Sequence, residues 1–277
     1  MMKQHTLGRA YTFEGVGLHT GKHVCMTVMP APVGTGVRFI RLDRGGVEVR
    51  ADVSNFHKGN RSTSLRSGGV SVRTVEHLLS ALAGLGVDNA LVELDGPELP
   101  IMDGSARTFA EAFASDGPVE QDAEREVIEV REPFEFRDTR RGSYLKIEPA
   151  PAASYSVRID FGSKVLGVQD AEFDGTGYLT EIAPSRTFCF KREVRLLRFL
   201  GLIKGGSLDN ALVIDEPSGY LGSQPAFDNE CARHKLLDLI GDFSLAGRPV
   251  IGRITAYRPG HKFNVTALRT FLKTLEI

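Results

Sequence analysis

Apolar residues recur at helical spacing in four parts of the chain and alternate with polar ones through much of the remainder. The stretch 229–240 carries Leu236, Leu237, Leu239 and Ile240 on one face, and the helix it predicts is expected to stop near Gly241. Related patterns predict helices over 74–85, 106–114 and 264–275, and strands over 89–94 and 250–257. Upstream of each helical pair, the segments VCMTVMPAP with VRFIRL, and then YLKIEPAPAASYSVRIDF, alternate as antiparallel strands covered on one side do. The order helix, strand, loop, helix can therefore be read twice. It predicts an α+β fold of two similarly folded halves, each a layer of mostly antiparallel strands packed with helices. The same order is common enough to arise without duplication. The polar, proline-containing stretch 115–125 reads as a linker, dividing the chain into halves 1–121 and 122–277.

Composition narrows the setting. A chain of 277 residues with 42% apolar side chains can bury a proper core, and a net charge of −1 gives no bulk attraction to nucleic acid or to an anionic membrane. Any affinity for a polyanion must be local. The N-terminal stretch lacks the apolar core of a signal peptide, no run approaches about 18 apolar residues, and the apolar segment EVRLLRFLGLI is too short to span a bilayer. Cys25, Cys189 and Cys231 are odd in number and irregular in spacing, which fits a reducing compartment. The expectation is a cytoplasmic, monomeric protein with no integral membrane segment and no nucleic-acid partner.

Candidate chemistry gathers on the helices. In His234-Lys-Leu-Leu-Asp238 the imidazole and the carboxylate lie four residues apart, one above the other on one helical face, as two metal ligands would. A solvated ion pair has the same spacing. Asp242 continues that ladder if the helix outlasts Gly241, either orienting another imidazole or remaining a surface carboxylate. In Thr74-Val-Glu76-His77, Thr74 can cap the helix and Glu76 suits its first turn, leaving His77 incidental or functional. If the halves are related, His77 meets His234 and Asp238 at their seam, giving a His2Asp site with an open position, as a catalytic zinc needs. Glu76, aimed differently from His77, then stands as general base beside it. His261, in a tight turn before the last helix, is a candidate general acid or simply an exposed turn residue. Lys235 is a cation for an anionic substrate group or a solvated lysine. Thr187 sits among apolar neighbours; Cys231 is a rival ligand that reads more simply as a buried thiol. The glycine-rich stretches at 15–21 and 205–207 lack the order of a phosphate loop and read as turns.

With these residues assembled, the chain closely resembles the metal-dependent UDP-3-O-acyl-N-acetylglucosamine deacetylases of lipid A biosynthesis in Gram-negative bacteria. The resemblance rests on GVGLHTG, TVEHLLSAL, PIMDGS, RTF, GGSLDNA, HKLLD and the GH at 260–261, all in the family's order. It implies zinc, or ferrous iron, on His77, His234 and Asp238, with Glu76 as base and His261 as general acid oriented by Asp242. Thr187 would steady the oxyanion and Lys235 would reach the diphosphate or sugar of the acylated UDP-sugar. Phe188 would pack on its rings, and His19 would line the sugar site. The acyl chain would pass through an apolar insert around 190–203, which includes Phe190, with Leu18 near its mouth. Two histidines and one carboxylate also describe a non-haem Fe(II) oxygenase, and a non-catalytic lipid or nucleotide-sugar binder is a third reading.

Overall fold

The computed structural model describes residues 2–216 and 218–276. Its first half contains β1 (Lys3–Thr6), β2 (Tyr11–Val16), β3 (His23–Pro30), β4 (Val37–Arg41), β5 (Val47–Arg50), β6 (Phe56–Lys58), β7 (Ser64–Ser67), β8 (Val70–Arg73), α1 (Glu76–Gly84), β9 (Ala90–Leu94), α2 (Arg107–Asp116) and β10 (Val119–Glu124). The second contains β11 (Ile128–Glu129), β12 (Phe134–Asp138), β13 (Ser143–Glu148), β14 (Ser154–Asp160), β15 (Val168–Phe173), β16 (Phe188–Phe190), α3 (Lys191–Phe199), β17 (Leu212–Asp215), β18 (Gly219–Leu221), α4 (Glu230–Phe243), β19 (Val250–Ile251), β20 (Arg253–Tyr257) and α5 (His261–Thr274).

Each half is organised around one five-stranded sheet, and the two sheets share a topology. The first runs β2-β3-β9-β4-β5, the second β12-β13-β20-β14-β15. In both, the third and fourth strands pair in parallel and the other neighbours antiparallel. The α+β architecture of two similar halves is therefore as expected, and the matching strand orders are what an internal duplication leaves. A three-stranded sheet is inserted at the same point of each repeat, β6-β7-β8 before α1 and β16-β17-β18 before α4.

Alternation along the strands turns one face inward. Val24, Met26 and Val28 of β3, and Leu145 and Ile147 of β13, are buried on the faces covered by helices. Seven consecutive residues of α1, from Glu76 to Leu82, are buried, as a helix enclosed on all sides requires. Helices α1 and α4 pack against each other across the seam, and α4 also covers β14 and β15.

Four local expectations are corrected. Helix α4 does not stop near Gly241 but continues to Phe243, because that glycine sits where the helices cross: an added Cβ would overlap the Glu76 carbonyl oxygen. Its role is close approach rather than termination. Thr74 does not cap α1; it adopts φ 58°, and its hydroxyl donates to buried Glu98 (2.8 Å), leaving Val75 before the helix. The last helix begins at His261, three residues earlier than the pattern at 264–275 indicates. Within the expected linker, Val119–Glu124 forms β10, paired antiparallel with β1. Gln121 fixes that edge by donating to the Ala31 carbonyl (2.9 Å) and accepting from Asn89 (2.8 Å).

Candidate active site

The seam between the halves is where α1 and α4 deliver their polar side chains. Glu76 and His77 open α1, while His234, Asp238 and Asp242 follow one another at four-residue spacing along α4. Continuation of α4 through Gly241 is what keeps Asp242 on the same ladder. All five are buried, against the ordinary tendency of charged groups to stay in water, so each must be paired.

His77, His234 and Asp238 offer ligand atoms that lie within 4.8 Å of one another. Asp238 Oδ1 is 3.4 Å from His234 Nε2 and 3.8 Å from His77 Nε2. Two donors bound at about 2.1 Å to one tetrahedral ion stand ~3.4 Å apart, so the spacing fits a shared cation. Three further features support that fit. Asp238 Oδ1 is buried and has no hydrogen-bond partner among the described residues. The His234 Nδ1–H donates to the Ser185 carbonyl (3.0 Å), which leaves the Nε2 lone pair facing the carboxylate. Burial holds the imidazolium forms down, His77 to about 4 and His234 to about 3, so both rings are neutral at physiological pH, as ligands must be. Burial alone would raise Asp238, but His234, Lys235, His261 and His77 together hold it well below the usual carboxylate range. Its second oxygen accepts from Lys235 Nζ at 2.5 Å.

Beside this trio stand two groups suited to moving protons. Burial raises Glu76 to about 7, with Asp238 and Asp242 adding to the rise while His261 opposes it. One of its oxygens accepts the Thr63 backbone N–H (2.9 Å); the other lies 3.7 Å from His261 Nε2. Burial acts on His261 in the opposite sense. Burial disfavours its cation, yet Asp242, Asp238 and Glu76 outweigh that cost and raise it to about 9, so it is an imidazolium at neutral pH. Its Nδ1 faces Asp242 Oδ2 at 3.1 Å. Asp242 is fully buried and also accepts from Asn264 Nδ2 (2.9 Å) and the Thr63 hydroxyl. Two titratable groups shifted in the same direction, a carboxyl and an imidazole, thus stand side by side next to the metal-type trio, with His261 Nε2 3.7 Å from both Glu76 Oε1 and Asp238 Oδ2.

These groups open into a cavity of about 470 Å³. Its walls include Thr187, Phe188, Phe190, Lys235 and Leu18. The ring of Phe161 lies edge-on to Phe188 and Phe190, at centroid distances of 5.6 and 5.9 Å, and extends the aromatic wall. Lys235 Nζ lies 5.5 Å from the Phe188 centroid. His19 is placed differently: it is 1% exposed and does not line the cavity, its ring lying within 3.4 Å of both the Arg61 carbonyl and the Ile203 amide behind the wall.

Three contributors escaped sequence reasoning. Thr63, in an unpatterned loop, bridges Glu76 and Asp242 and has no local signature. Asn264 stands three residues after His261, a helical spacing that was available as a signal. Glu98 is buried and accepts from the backbone of His19 and Thr20 and from Thr74, tying the loop after β2 to the entry of α1.

Comparison with known proteins agrees with this geometry. Residues 4–273 match the family described as UDP-3-O-acyl N-acetylglycosamine deacetylase. A UDP-3-O-acyl-N-acetylglucosamine deacetylase of Acidithiobacillus ferrooxidans is 43% identical over 277 residues, covering 98% of this chain and 90% of the relative. One of Myxococcus xanthus is 44% identical over 269 residues, covering 96% and 85%. The bifunctional enzyme LpxC/FabZ of Bacteroides thetaiotaomicron is 39% identical over 303 residues, covering all of this chain and 66% of its own length. On the family match over nearly the whole chain and on these identities, the chain belongs to the UDP-3-O-acyl N-acetylglycosamine deacetylase family.

Proposed function

We propose that the protein is a metal-dependent amidohydrolase that removes the acetyl group from UDP-3-O-acyl-N-acetylglucosamine, yielding acetate and UDP-3-O-acyl-glucosamine for lipid A biosynthesis. The observation that carries the reading is the orphaned, buried Asp238 Oδ1 facing two neutral imidazoles, with Glu76 and the protonated His261 ring close beside it. His77, His234 and Asp238 hold the ion, for which zinc is the proposed identity; ferrous iron meets the same donor set. When bound, the ion supplies Lewis-acid polarisation of the amide carbonyl and acidifies water.

The chain's own residues perform the rest. Glu76, held by the Thr63 amide, accepts the proton of the attacking water. Thr187 donates its hydroxyl to the oxyanion that forms as the carbonyl is attacked. His261, kept protonated by Asp242, donates to the amine as the C–N bond breaks; the water's oxygen leaves in acetate, and the proton taken by Glu76 replaces the one that His261 gave up. Lys235 meets the anionic part of the nucleotide, and Phe188 packs on its ring system. The acyl chain takes the apolar route past Leu18 and Phe190 beneath α3, whose Leu197 faces inward. The three cysteines are free, consistent with work in a reducing compartment. The reading includes a monomeric state.

The oxygenase reading finds no comparable support, since dioxygen chemistry needs no charged acid and base beside the ion. Glu76→Ala tests the proposal directly. Turnover should fall by about 10²–10⁴-fold, the range of a positioned general base, while metal content stays unchanged. A variant that turned over normally would show that Glu76 is not the base.

A further inference from the structure

Helix α3 is unlike the other four. Its sequence, KREVRLLRF, separates apolar from polar positions more sharply than any of them, yet its apolar residues do not all face the core. Leu197 is buried, and Val194 and Glu193 beside it are half-buried. The exposed arc is divided in two. Leu196, Phe199 and Leu200, at three- and four-residue spacing, form one apolar sector and are 59%, 87% and 59% exposed. Arg195 and Arg198 form the adjoining sector, and Lys204 follows in the turn beyond the helix; all three are exposed. None of the three has a carboxylate within ion-pair distance among the described residues. The single acid of α3, Glu193, is taken by Arg61 (2.8 Å), and Lys191 by Asp215 (2.9 Å).

We propose that α3 and the turn after it attach the protein peripherally to an anionic phospholipid surface. Large contiguous exposed apolar side chains on a soluble domain mark an interaction site. A helix that exposes Leu and Phe beside unpaired Arg and Lys matches the interfacial geometry, with rings and leucines in the acyl boundary and cations at the phosphates. No described helix is long and apolar enough to cross a membrane, so the attachment is reversible. A net charge of −1 supplies no bulk attraction, and the affinity resides in this local patch. Self-association is the poorer match, because a two-fold contact through the apolar sector sets Arg195 and Arg198 against their own copies. Placement strengthens the case: Phe190, Cys189 and Glu193, at and beside the start of α3, line the catalytic cavity, so a surface under α3 lies against the cavity's own wall.

The test is co-sedimentation of the full chain with vesicles of phosphatidylcholine alone and of phosphatidylcholine with phosphatidylglycerol in equal parts. The protein should pellet only with the mixed vesicles and should be released by high salt. Arg195→Gln with Arg198→Gln should weaken binding by ~25-fold, at about fivefold for each cation near the surface. Phe199→Glu should abolish it. Because these side chains are exposed, circular dichroism and melting temperature should match the parent, and Leu200→Ser provides an independent apolar variant. Equal pelleting with both vesicle types, no pelleting with either, or indifference to both classes of substitution would overturn the proposal. So would sedimentation velocity showing a dimer that Phe199→Glu disperses, since the patch would then serve a second copy.

Discussion

Replacing Asp242 by Asn tests how the site keeps an acid charged inside a buried cluster. The substitution preserves shape and leaves an oxygen to accept from Asn264 or Thr63, but it removes the negative charge 3.1 Å from His261 Nδ1. An opposite charge at such range shifts a titration by about one to three units. Asp238 and Glu76 remain near the ring, so His261 should fall from about 9 to between about 6 and 8. The sign follows from the chemistry: an imidazolium donor is competent only below its pKa, so the alkaline limb of kcat/KM moves to lower pH. The acid limb, where Glu76 must be ionised, lies at or below about 7, because a bound cation draws its carboxyl further down. The variant's bell therefore narrows from its alkaline side, and with the lower values activity at neutral pH falls about tenfold, one unit of displacement being tenfold in the protonated form. The assay is kcat/KM against pH for the metal-loaded parent and variant. An alkaline limb that stays in place, with a uniform loss at every pH, would refute the assignment of His261 as the acid held by Asp242.

Other consequences follow from packing and from the donor set. Gly241→Ala pushes a methyl into the Glu76 carbonyl at the crossing of α1 and α4, and such overpacking costs about 1–3 kcal/mol, so the melting temperature should drop by several degrees; an unchanged melt would contradict the close approach. Added zinc should raise the melting temperature of the metal-free protein, since a ligand at a thousand times its Kd contributes about 4 kcal/mol, and His77→Ala should remove most of that rise. Chelation should abolish deacetylation and zinc alone should restore it under anaerobic conditions, whereas a requirement for dioxygen would favour the oxygenase.

Much of the architecture was legible because it depends on periodicity. The helix-strand-loop-helix order stands twice in the chain, and the His234–Asp238 pair could be placed on one face from spacing alone. What escaped depends on long-range contact. Gly241 looks like a stop signal locally, and only the neighbouring helix reveals why a glycine is needed there. Thr74 has the chemistry of a cap, but its hydroxyl donates instead to buried Glu98, which the amides of His19 and Thr20 hold at the entry of α1. The stretch 119–124 is polar enough for a linker, and it becomes a strand because β1 presents an unpaired edge. Thr63 acts through its amide as well as its hydroxyl, and no residue pattern reports an amide's direction. His19 belongs to a motif that carries the resemblance, yet its ring is held behind the cavity wall.

The central claim is that side chains from both halves share one divalent cation, and an anomalous difference map at the zinc edge from crystals of the metal-loaded protein measures it. The account predicts one strong peak within bonding distance of His77 Nε2, His234 Nε2 and an Asp238 oxygen. A peak elsewhere in a catalytically active protein, or a trio that does not converge on it, would contradict the account.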